Sequence, residues 1–574
     1  MSQRYDVSHP HYKWVALSNT TLGVLLATVN ASIVLISLPA IFRGIGLDPL
    51  QPSNVSYLLW MLMGYLLVTA VLVVSLGRLG DMFGRVRMYN AGFAVFAAAS
   101  VLLALVPWAG SAGALWLIGF RVVQGVGGAM LMANSTAILT DAFPNHQRGM
   151  ALGINQVAAL AGSFMGLVLG GVLSEWSWRS VFWVSVPIGA LGTVWAYRSL
   201  HEVAGRGEGR IDWLGNVTFG VGLTVLLAAI TYGIQPYGSH DTGWTNPWVD
   251  AGLLGGAALL VVFLIIERRV ETPMFHLDLF RDRVFASANL ATLLSSIARG
   301  GLQFMLIIWL QGVWLPLHGY DYEVTPLWAG IYLVPLTIGF LAAGPLSGHL
   351  SDKYGARLFA FVGLVVAGGS FLGLLLLPVN FSYPWFAALI ALNGVGSGLF
   401  SAPNTSAIMG SVEPHDRGAA SGMRATFMNA GMLLSIGIFF SLMIAGLASR
   451  LPQALDHSLV AQGVPAGTAH QIAGLPPVGS LFAAFLGYNP MAQMLGPGVL
   501  HQLPASHAHL LVGKTYFPNL ISGPLHHGLV VVFVAAAVMC LAGAVVSLVR
   551  ERTAGDPSAQ GQPADGATRV AATR

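Results

Sequence analysis

The segment LVVVFVAAAVMCLAGAVVSLV at residues 529–549 contains no charged side chain, and it is long enough to cross a bilayer as a helix, which takes about 20 residues. Comparable apolar segments occupy residues 91–106, 214–230 and 251–266. Their apolar residues do not alternate with polar ones, as they would in the strands of a membrane barrel. Because lipid offers no partner to a backbone amide, each segment must satisfy its own hydrogen bonds, as a helix does. The sequence therefore predicts an all-α, polytopic membrane protein.

Composition excludes several other classes of protein. Hydrophobic residues form 55% of the 574 positions and charged residues 9%, which leaves too little polar surface for a soluble globule. The basic residues are spread between apolar segments, so no nucleic-acid partner is predicted. Cys540 is the single cysteine and the histidine spacing is loose, so we predict no disulfide, no metal and no other cofactor. Protease, esterase and phosphate-loop motifs do not occur in the sequence, and an enzyme is not predicted.

Turn residues and charges divide the chain into fourteen predicted spans, of which the first is retained because it lacks a cleavage site. With the N-terminus inside, twenty Lys and Arg residues fall in cytoplasmic segments and four fall outside. Such an excess of positive charge is typical of cytoplasmic loops. We therefore predict a multi-pass protein of the cell (plasma or inner) membrane with cytoplasmic N- and C-termini. The predicted spans are 14–40, 55–77, 88–107, 114–139, 148–173, 180–199, 212–234, 249–267, 284–317, 325–349, 357–377, 384–410, 418–447 and 526–549.

An internal repeat relates the two ends of the chain. GRLGDMFGR at 77–85 recurs as GHLSDKYGAR at 348–357, and NSTAI at 134–138 recurs as NTSAI at 404–408. Two blocks at nearly one offset predict two halves of six spans with two spans inserted between them, and a ligand site where the halves meet. The predicted parts are an N-terminal six-helix bundle (1–200), a two-helix linker insertion (201–275), a C-terminal six-helix bundle (276–550) that includes an outer loop (448–525), and a disordered cytoplasmic tail (551–574).

Three motifs resemble a known family. GRLGDMFGRVR at 77–87 resembles the signature loop of the major facilitator superfamily, and RVVQGVGG at 121–128 looks like its second motif. WRSVFWVSVPIG at 178–189 and the span count are similar to the drug:proton antiporter branch with fourteen spans. The resemblance covers about residues 14–550. It implies a major-facilitator fold and a proton-coupled, multidrug-efflux-type exporter of lipophilic small molecules that works by alternating access.

The sequence departs from that branch at two places. GSFMGLVLGG at 162–171 has Leu167 where the antiporter motif has proline after its second glycine. Asn30 stands where the branch usually has an acidic residue in the first span. The direction of transport therefore stays open. A lipid or glycolipid exporter and a transporter-like receptor that binds without transport remain as alternatives.

The signature loop and its repeat are interpreted as a conformational latch. A carboxylate at a helix end can pair with a nearby arginine or dock on a helix N-terminus, although it can also be a solvated loop charge. The second copy has Ala356 in place of an arginine, so its latch should be weaker. The predicted latch residues are Gly77, Asp81, Gly84, Arg85, Gly348, Asp352 and Gly355.

Arg121 is the charged residue of the second motif. An unpaired guanidinium inside a span costs about 3 kcal/mol on insertion scales, so Arg121 must face protein or water. In the family the corresponding arginine is implicated in proton coupling, and we assign this role to Arg121 with Gln124. A structural bond to helix carbonyls is the alternative.

Other polar residues within spans are candidates for a substrate path, although amides in spans more often hold helices together. The middle of the spans contains no Asp or Glu, and three arginines there would repel multivalent cations. We therefore predict a neutral or anionic amphipathic small molecule as substrate, with protons and the lipid bilayer as the other partners. The outer loop is interpreted as a hairpin or lid over the outer mouth, or as a tolerated insertion. The predicted path residues are Asn30, Asn155, Gln156, Arg299, Gln303, Arg424 and Asn429.

Overall fold

The computed structural model describes residues 11–48, 51–202, 212–238, 240, 242–271, 273, 275–413, 417–487 and 489–548. Within these residues fourteen helices are long and apolar enough to cross a membrane, and no strand occurs. The predictions of an all-α class and of fourteen spans are therefore confirmed. The predicted tail (551–574) lies outside the described residues.

The fourteen long helices are numbered in chain order. They are α1 (Tyr12–Ile45), α2 (Asn54–Phe83), α3 (Arg85–Ala104), α4 (Gly110–Ala142), α5 (Gly153–Trp176), α6 (Ser180–Ser199), α7 (Trp213–Gly233), α8 (Pro247–Glu267), α9 (Arg283–Leu317), α10 (Thr325–Ser351), α11 (Ala356–Leu375), α12 (Tyr383–Gly410), α13 (Ala419–Ala448) and α14 (Tyr516–Leu548).

Several predicted span ends were wrong because the helix continues beyond the apolar segment. The charges at Arg78 and Asp81 predicted a loop, but α2 runs to Phe83 and ends where Gly84 takes a φ of +111°. Long side chains at a helix end reach water while the backbone stays helical. At the other end of the chain α14 begins at Tyr516, ten residues before the predicted 526.

The helices of the two halves pack in the same order. In the first half α1 packs on α5, α2 on α4, and α3 on both α4 and α6. In the second half α9 packs on α13, α10 on α12, and α11 on both α12 and α14. Helices α7 and α8 pair with each other, and α7 also contacts α2 and α13. The sequence repeat is thus a repeat of packing, which gives two six-helix bundles and a central two-helix insertion.

Glycines on α5 allow α1 to approach closely. A Cβ on Gly166 would lie 2.4 Å from the Val29 carbonyl oxygen, and one on Gly170 would lie 2.7 Å from the Ile33 carbonyl oxygen. Both distances are too short for a side chain. The glycines of the segment 162–171, which lacks the proline of the antiporter motif, therefore make a close helix pair within the first bundle.

The two bundles meet along two seams, α2 with α13 and α5 with α10. On the second seam a Cβ on Gly171 would lie 2.4 Å from Leu327 Cα, at the ends of α5 and α10 that are predicted to face outward. On the first seam Thr426 Oγ1 donates a hydrogen bond to the Ala70 carbonyl oxygen at 3.3 Å. The bundles are therefore in backbone-level contact at the predicted outer end of the second seam.

The outer loop folds into five short helices, and one of them lies between the bundles. All residues of this helix, Pro477–Leu486, are buried, and it contacts α1 and α2 on one side and α9 and α13 on the other. The Phe485 ring stacks on Phe304 with centroids 5.2 Å apart, and Phe482 stacks on Phe440 at 5.3 Å. This packing favours the lid interpretation over that of a surface insertion. The other four helices are Leu451–Ala461, Ala466–Ala473, Met491–Gln502 and Ala505–Val512.

Candidate functional site

The first predicted latch is an ion-pair cluster on three helices. Arg85 Nε donates to Asp81 Oδ1 at 2.7 Å, and Arg85 Nη1 donates to the two carboxylate oxygens of Asp141 at 2.6 and 2.7 Å. The cluster ties together the adjacent ends of α2, α3 and α4 within one bundle. Arg87, at the end of the signature loop, has an exposed side chain, and its backbone N–H donates to Glu202 at 3.0 Å. Asp141 was not assigned to the latch from sequence, because its closeness to Arg85 depends on how α4 packs.

The backbone of the latch is repeated in the second bundle. Gly84 has a φ of +111° and Gly355 one of +88°, a region that favours glycine. A Cβ on Gly77 would lie 3.6 Å from Ala133, and one on Gly348 would lie 3.6 Å from the corresponding Ala402, so both positions make ordinary contacts.

The charges of the latch are not repeated in the same way. Ala356 stands in the place of Arg85, and Ser411 stands in the place of Asp141. The side chain of Asp352 lies outside the described part of the structure. The second copy therefore keeps the glycine with positive φ but lacks two of the three charged residues.

Arg121 lies inside the first bundle, with 1% of its surface exposed. Its Nη1 donates to Asn30 Oδ1 and, at 2.8 Å, to Gln124 Oε1, while its Nε donates to the Met61 carbonyl oxygen at 3.3 Å. The guanidinium carbon is 4.5 Å from the centroid of the Tyr65 ring. The positive charge is thus bound by amides, a carbonyl and an aromatic face.

The amides around Arg121 are themselves fixed by further bonds. Asn30 Nδ2 donates to Ser185 Oγ at 3.0 Å, and Gln124 Nε2 donates to Ser100 Oγ at 2.8 Å. The network therefore joins α1, α2, α3, α4 and α6, and Asn30 acts as a neutral acceptor where the branch usually has an acid. The structure shows Asn30, Gln124 and Arg121 enclosed by this bundle, so they do not line the cleft described below.

Part of this network recurs in the second bundle. Asn393 Nδ2 donates to Ser370 Oγ at 2.7 Å, as Gln124 does to Ser100. Ile390 stands three residues before Asn393, the spacing at which Arg121 precedes Gln124. The amide–hydroxyl pair is therefore duplicated, but the buried arginine on this helix is not.

Arg299 and Arg424 come together in the second bundle, on the walls of one small cleft of about 30 Å³ between α9, α10, α12 and α13. Arg424 is 8% exposed, and its Nε has no hydrogen-bond partner among the described residues. The Arg299 guanidinium contacts Met432 Sδ at 4.0 Å. The other lining residues are Thr292, Ser295, Ser296, Phe340, Ser397, Phe400, Ser401, Asn404, Thr405 and Met428.

The remaining predicted path residues take different positions. Asn155 Nδ2 donates to Ser135 Oγ at 3.2 Å and so links α5 to α4. Asn429 is buried on α13, and its Nδ2 lacks a partner in the described part of the chain. Gln303 is half-buried one turn beyond Arg299, outside the set that lines the cleft. The side chain of Gln156 lies outside the described residues.

A pair of buried carboxyl groups at the ends of α7 and α8 was not singled out from sequence. Asp212 accepts from the Gly215 N–H at 2.7 Å, and Glu267 accepts from the Phe275 N–H at 3.0 Å. A Cβ on Gly215 would lie 2.1 Å from Asp212 Oδ2 and 2.7 Å from Glu267 Oε1, so the two carboxyl groups face each other. Acids at span ends are ordinary in sequence, and only the helix pairing brings these two together.

Comparison with known proteins agrees with this architecture. The family model described as Major Facilitator Superfamily matches residues 20–436, a region that holds Arg121, Arg299 and Arg424. The chain is 30% identical over 451 residues to the multidrug resistance protein Stp of Mycobacterium tuberculosis (strain CDC 1551 / Oshkosh), covering 78% of each chain. It is 27% identical over 434 residues to the riboflavin transporter RibZ of Clostridioides difficile (strain 630), covering 75% of this chain and 88% of the relative.

A solved structure of a bacterial homolog of the human lysosomal transporter Spinster, in an inward-facing and unoccupied conformation, has the same fold. The TM-score is 0.55 at 17% identity, and the alignment covers 94% of this chain and 98% of that one.

Proposed function

Because this chain belongs to the Major Facilitator Superfamily, whose members are transporters and not enzymes, we propose that it is a proton-coupled exporter of lipophilic small molecules that works by alternating access. Relatives named for multidrug resistance support export of such compounds. The distribution of Lys and Arg supports placement in the cell membrane with both termini in the cytoplasm.

The repeated packing of the bundles is the observation that carries this proposal. Transporters built from repeats move one repeat against the other around a site between or beside them. Here the bundles touch along two equivalent seams, α2–α13 and α5–α10. The contact of Gly171 with Leu327 supports a closed outer end. The latch around Arg85 stiffens one bundle at the opposite, predicted cytoplasmic ends of its helices.

Two features are the proposed basis of proton coupling. Arg121 and Gln124 belong to a network of five helices, so a change of charge beside it would alter the packing of the whole bundle. Asp212 and Glu267 are the proposed exchange site, because they are two buried carboxyl groups that face each other at the ends of α7 and α8. Glu267→Gln should therefore slow substrate-driven proton movement, whereas Asp250→Asn at the exposed start of α8 should not.

The test uses the full chain in liposomes that contain a pH-sensitive dye, challenged with cationic, neutral and anionic amphiphiles. We expect substrate-driven proton movement, and we expect Gly171→Ala to abolish it because the new methyl group would keep α5 and α10 apart. Gly153→Ala is the matched control on the same helix, since a Cβ there meets no described atom within 4 Å. Binding without proton movement for every compound would contradict the proposal and favour a receptor.

One observation favours a lipid exporter as a second candidate. An apolar groove of about 370 Å³ lies between α5 and α10, and its walls include Met165, Val168 and Val334. Such a groove would suit an acyl chain entering from the bilayer. Movement of a fluorescent phospholipid between leaflets, independent of a proton gradient, would distinguish this candidate from the exporter of small molecules.

A further inference from the structure

We propose that the cleft holding Arg299 and Arg424 binds the anionic group of the substrate, so the transported class is amphipathic organic anions. The anionic group is a carboxylate, sulfonate or phosphate attached to an apolar body. This inference rests on the proposed transport function and adds to it a location and a charge.

The charge on the cleft walls is the first argument. Two guanidinium groups from facing helices line one small space of about 30 Å³, and none of its described lining residues is acidic. By sequence, α9, α10, α12 and α13 contain no Asp or Glu within their bounds. Uncompensated charges away from water are expensive, so an anion that enters the cleft relieves their repulsion.

The hydrogen-bonding state of the arginines is the second argument. Arg121 donates to three acceptors in its own bundle, and at 1% exposure it is closed to a ligand. Arg424 differs, because its Nε is buried without a partner in the described structure. Arg299 makes its contact with a thioether sulfur, which is a weak acceptor. Both cleft arginines therefore keep donors for a ligand.

The rest of the wall fits an oxygen-rich group joined to an apolar one. Hydroxyl groups of Ser295, Ser296 and Ser401 supply donors beside the arginines, and charge-assisted bonds to an anion are the strong ones. Phe340 and Phe400 supply an aromatic surface for an apolar body.

Equilibrium binding of a matched pair of probes to the purified full chain in detergent tests this inference. The probes are dansyl-phenylalanine, which carries a carboxylate, and its methyl ester, which does not. We expect wild-type protein to prefer the carboxylate, and Arg299→Gln or Arg424→Gln to weaken carboxylate binding about tenfold while leaving the ester within about twofold. Arg424→Lys should restore part of the preference, and Arg450→Gln, at an exposed outer position, should leave it unchanged.

Other outcomes overturn the inference. It fails if the two probes bind equally, if no carboxylate probe binds, or if both glutamine variants keep the wild-type preference. An unchanged Tm in the glutamine variants shows that lost binding is not lost folding, and the lysine variant gives a second check.

A competition experiment with phospholipids tests whether the anionic group comes from a lipid headgroup or from a free amphiphile. If phosphatidylglycerol displaces dansyl-phenylalanine from wild-type protein and phosphatidylcholine does not, the group comes from a lipid headgroup; if neither displaces it, the group belongs to a free amphiphile. Binding needs no proton gradient. Failure of proton movement in liposomes would therefore contradict the transport proposal while leaving the anion site intact, and loss of probe preference would do the reverse.

Discussion

Arginines inside spans occur in both bundles, but their surroundings are opposite. Arg121 in the first bundle is held by the side chains of Asn30 and Gln124, a carbonyl oxygen and a tyrosine ring. Arg299 and Arg424 in the second bundle share a cleft with hydroxyl groups and no described carboxylate.

The free-energy cost of a buried charge can therefore be offset in two ways, by acceptors of the protein or by a bound anion. Around Arg121 the protein supplies the partners itself, which rigidifies five helices and leaves no room for a ligand. Around Arg299 and Arg424 the partners are incomplete, which disfavours the empty cleft and favours an incoming anion. The first bundle thus satisfies its arginine internally, and the second leaves donors free for the anion that we propose.

The largest effect is expected from replacing Arg121. Arg121→Leu leaves the oxygens of Asn30 and Gln124 without their donor, and we expect a loss of about 3 kcal/mol of stability, because a broken buried charge network costs that much. Thermal unfolding of the purified protein followed by tryptophan fluorescence measures it. Arg424→Leu is the matched control and should leave Tm nearly unchanged or raise it. Equal losses in the two variants would show that the arginines do not differ.

A smaller loss of stability is expected at Asn30, the neutral partner of Arg121. Asn30→Leu removes the acceptor for Arg121 and the donor to Ser185, and should cost about 2 kcal/mol. Asn30→Asp keeps an acceptor and adds a counter-charge, so its Tm should stay at or above the wild-type value. The same fluorescence measurement separates the two, and a lower Tm for the aspartate variant would show that the donor to Ser185 matters more than the acceptor for Arg121.

The latch offers a comparison of the same kind near the surface. Arg85→Ala removes its pairs with Asp81 and Asp141, and the side-chain exposures of 24%, 49% and 21% limit the loss to about 1 kcal/mol. The decrease in Tm should shrink in 1 M NaCl, since exposed charges are screened. A decrease that is independent of salt would assign the effect to packing of the arginine stem.

The smallest expected effect comes from giving the second latch the missing residue. Ala356→Arg places an arginine four residues after Asp352, as Arg85 follows Asp81, and should raise stability by about 0.5 kcal/mol at low salt. The change in Tm between low and high salt measures it. Alanine at the neighbouring Arg357 is the control, and no gain for Ala356→Arg would mean that the two loops differ in more than charge.

Particular residues show where prediction from sequence stopped. The repeated loop at Asp81 and Asp352 predicted two matching bundles, and the cost of a charge in lipid predicted that Arg121 is enclosed. Asn30 was predicted to line a path, yet its side chain makes two hydrogen bonds, to Arg121 and to Ser185, that join α1, α4 and α6. Glu267 carried no signal, because an acid at the end of a span looks like any interfacial charge.

The sequence by itself determined that this protein lies in a membrane, that it is helical and that it contains an internal repeat. Those properties follow from lengths and periods that act along the chain, since lipid obliges each apolar segment to satisfy its own backbone. Only the tertiary structure decided which arginine is enclosed and which two share a cleft, and that the helix Pro477–Leu486 lies between the bundles. These outcomes depend on side chains from helices far apart in sequence, and their partners are chosen by packing between helices, which no local pattern encodes.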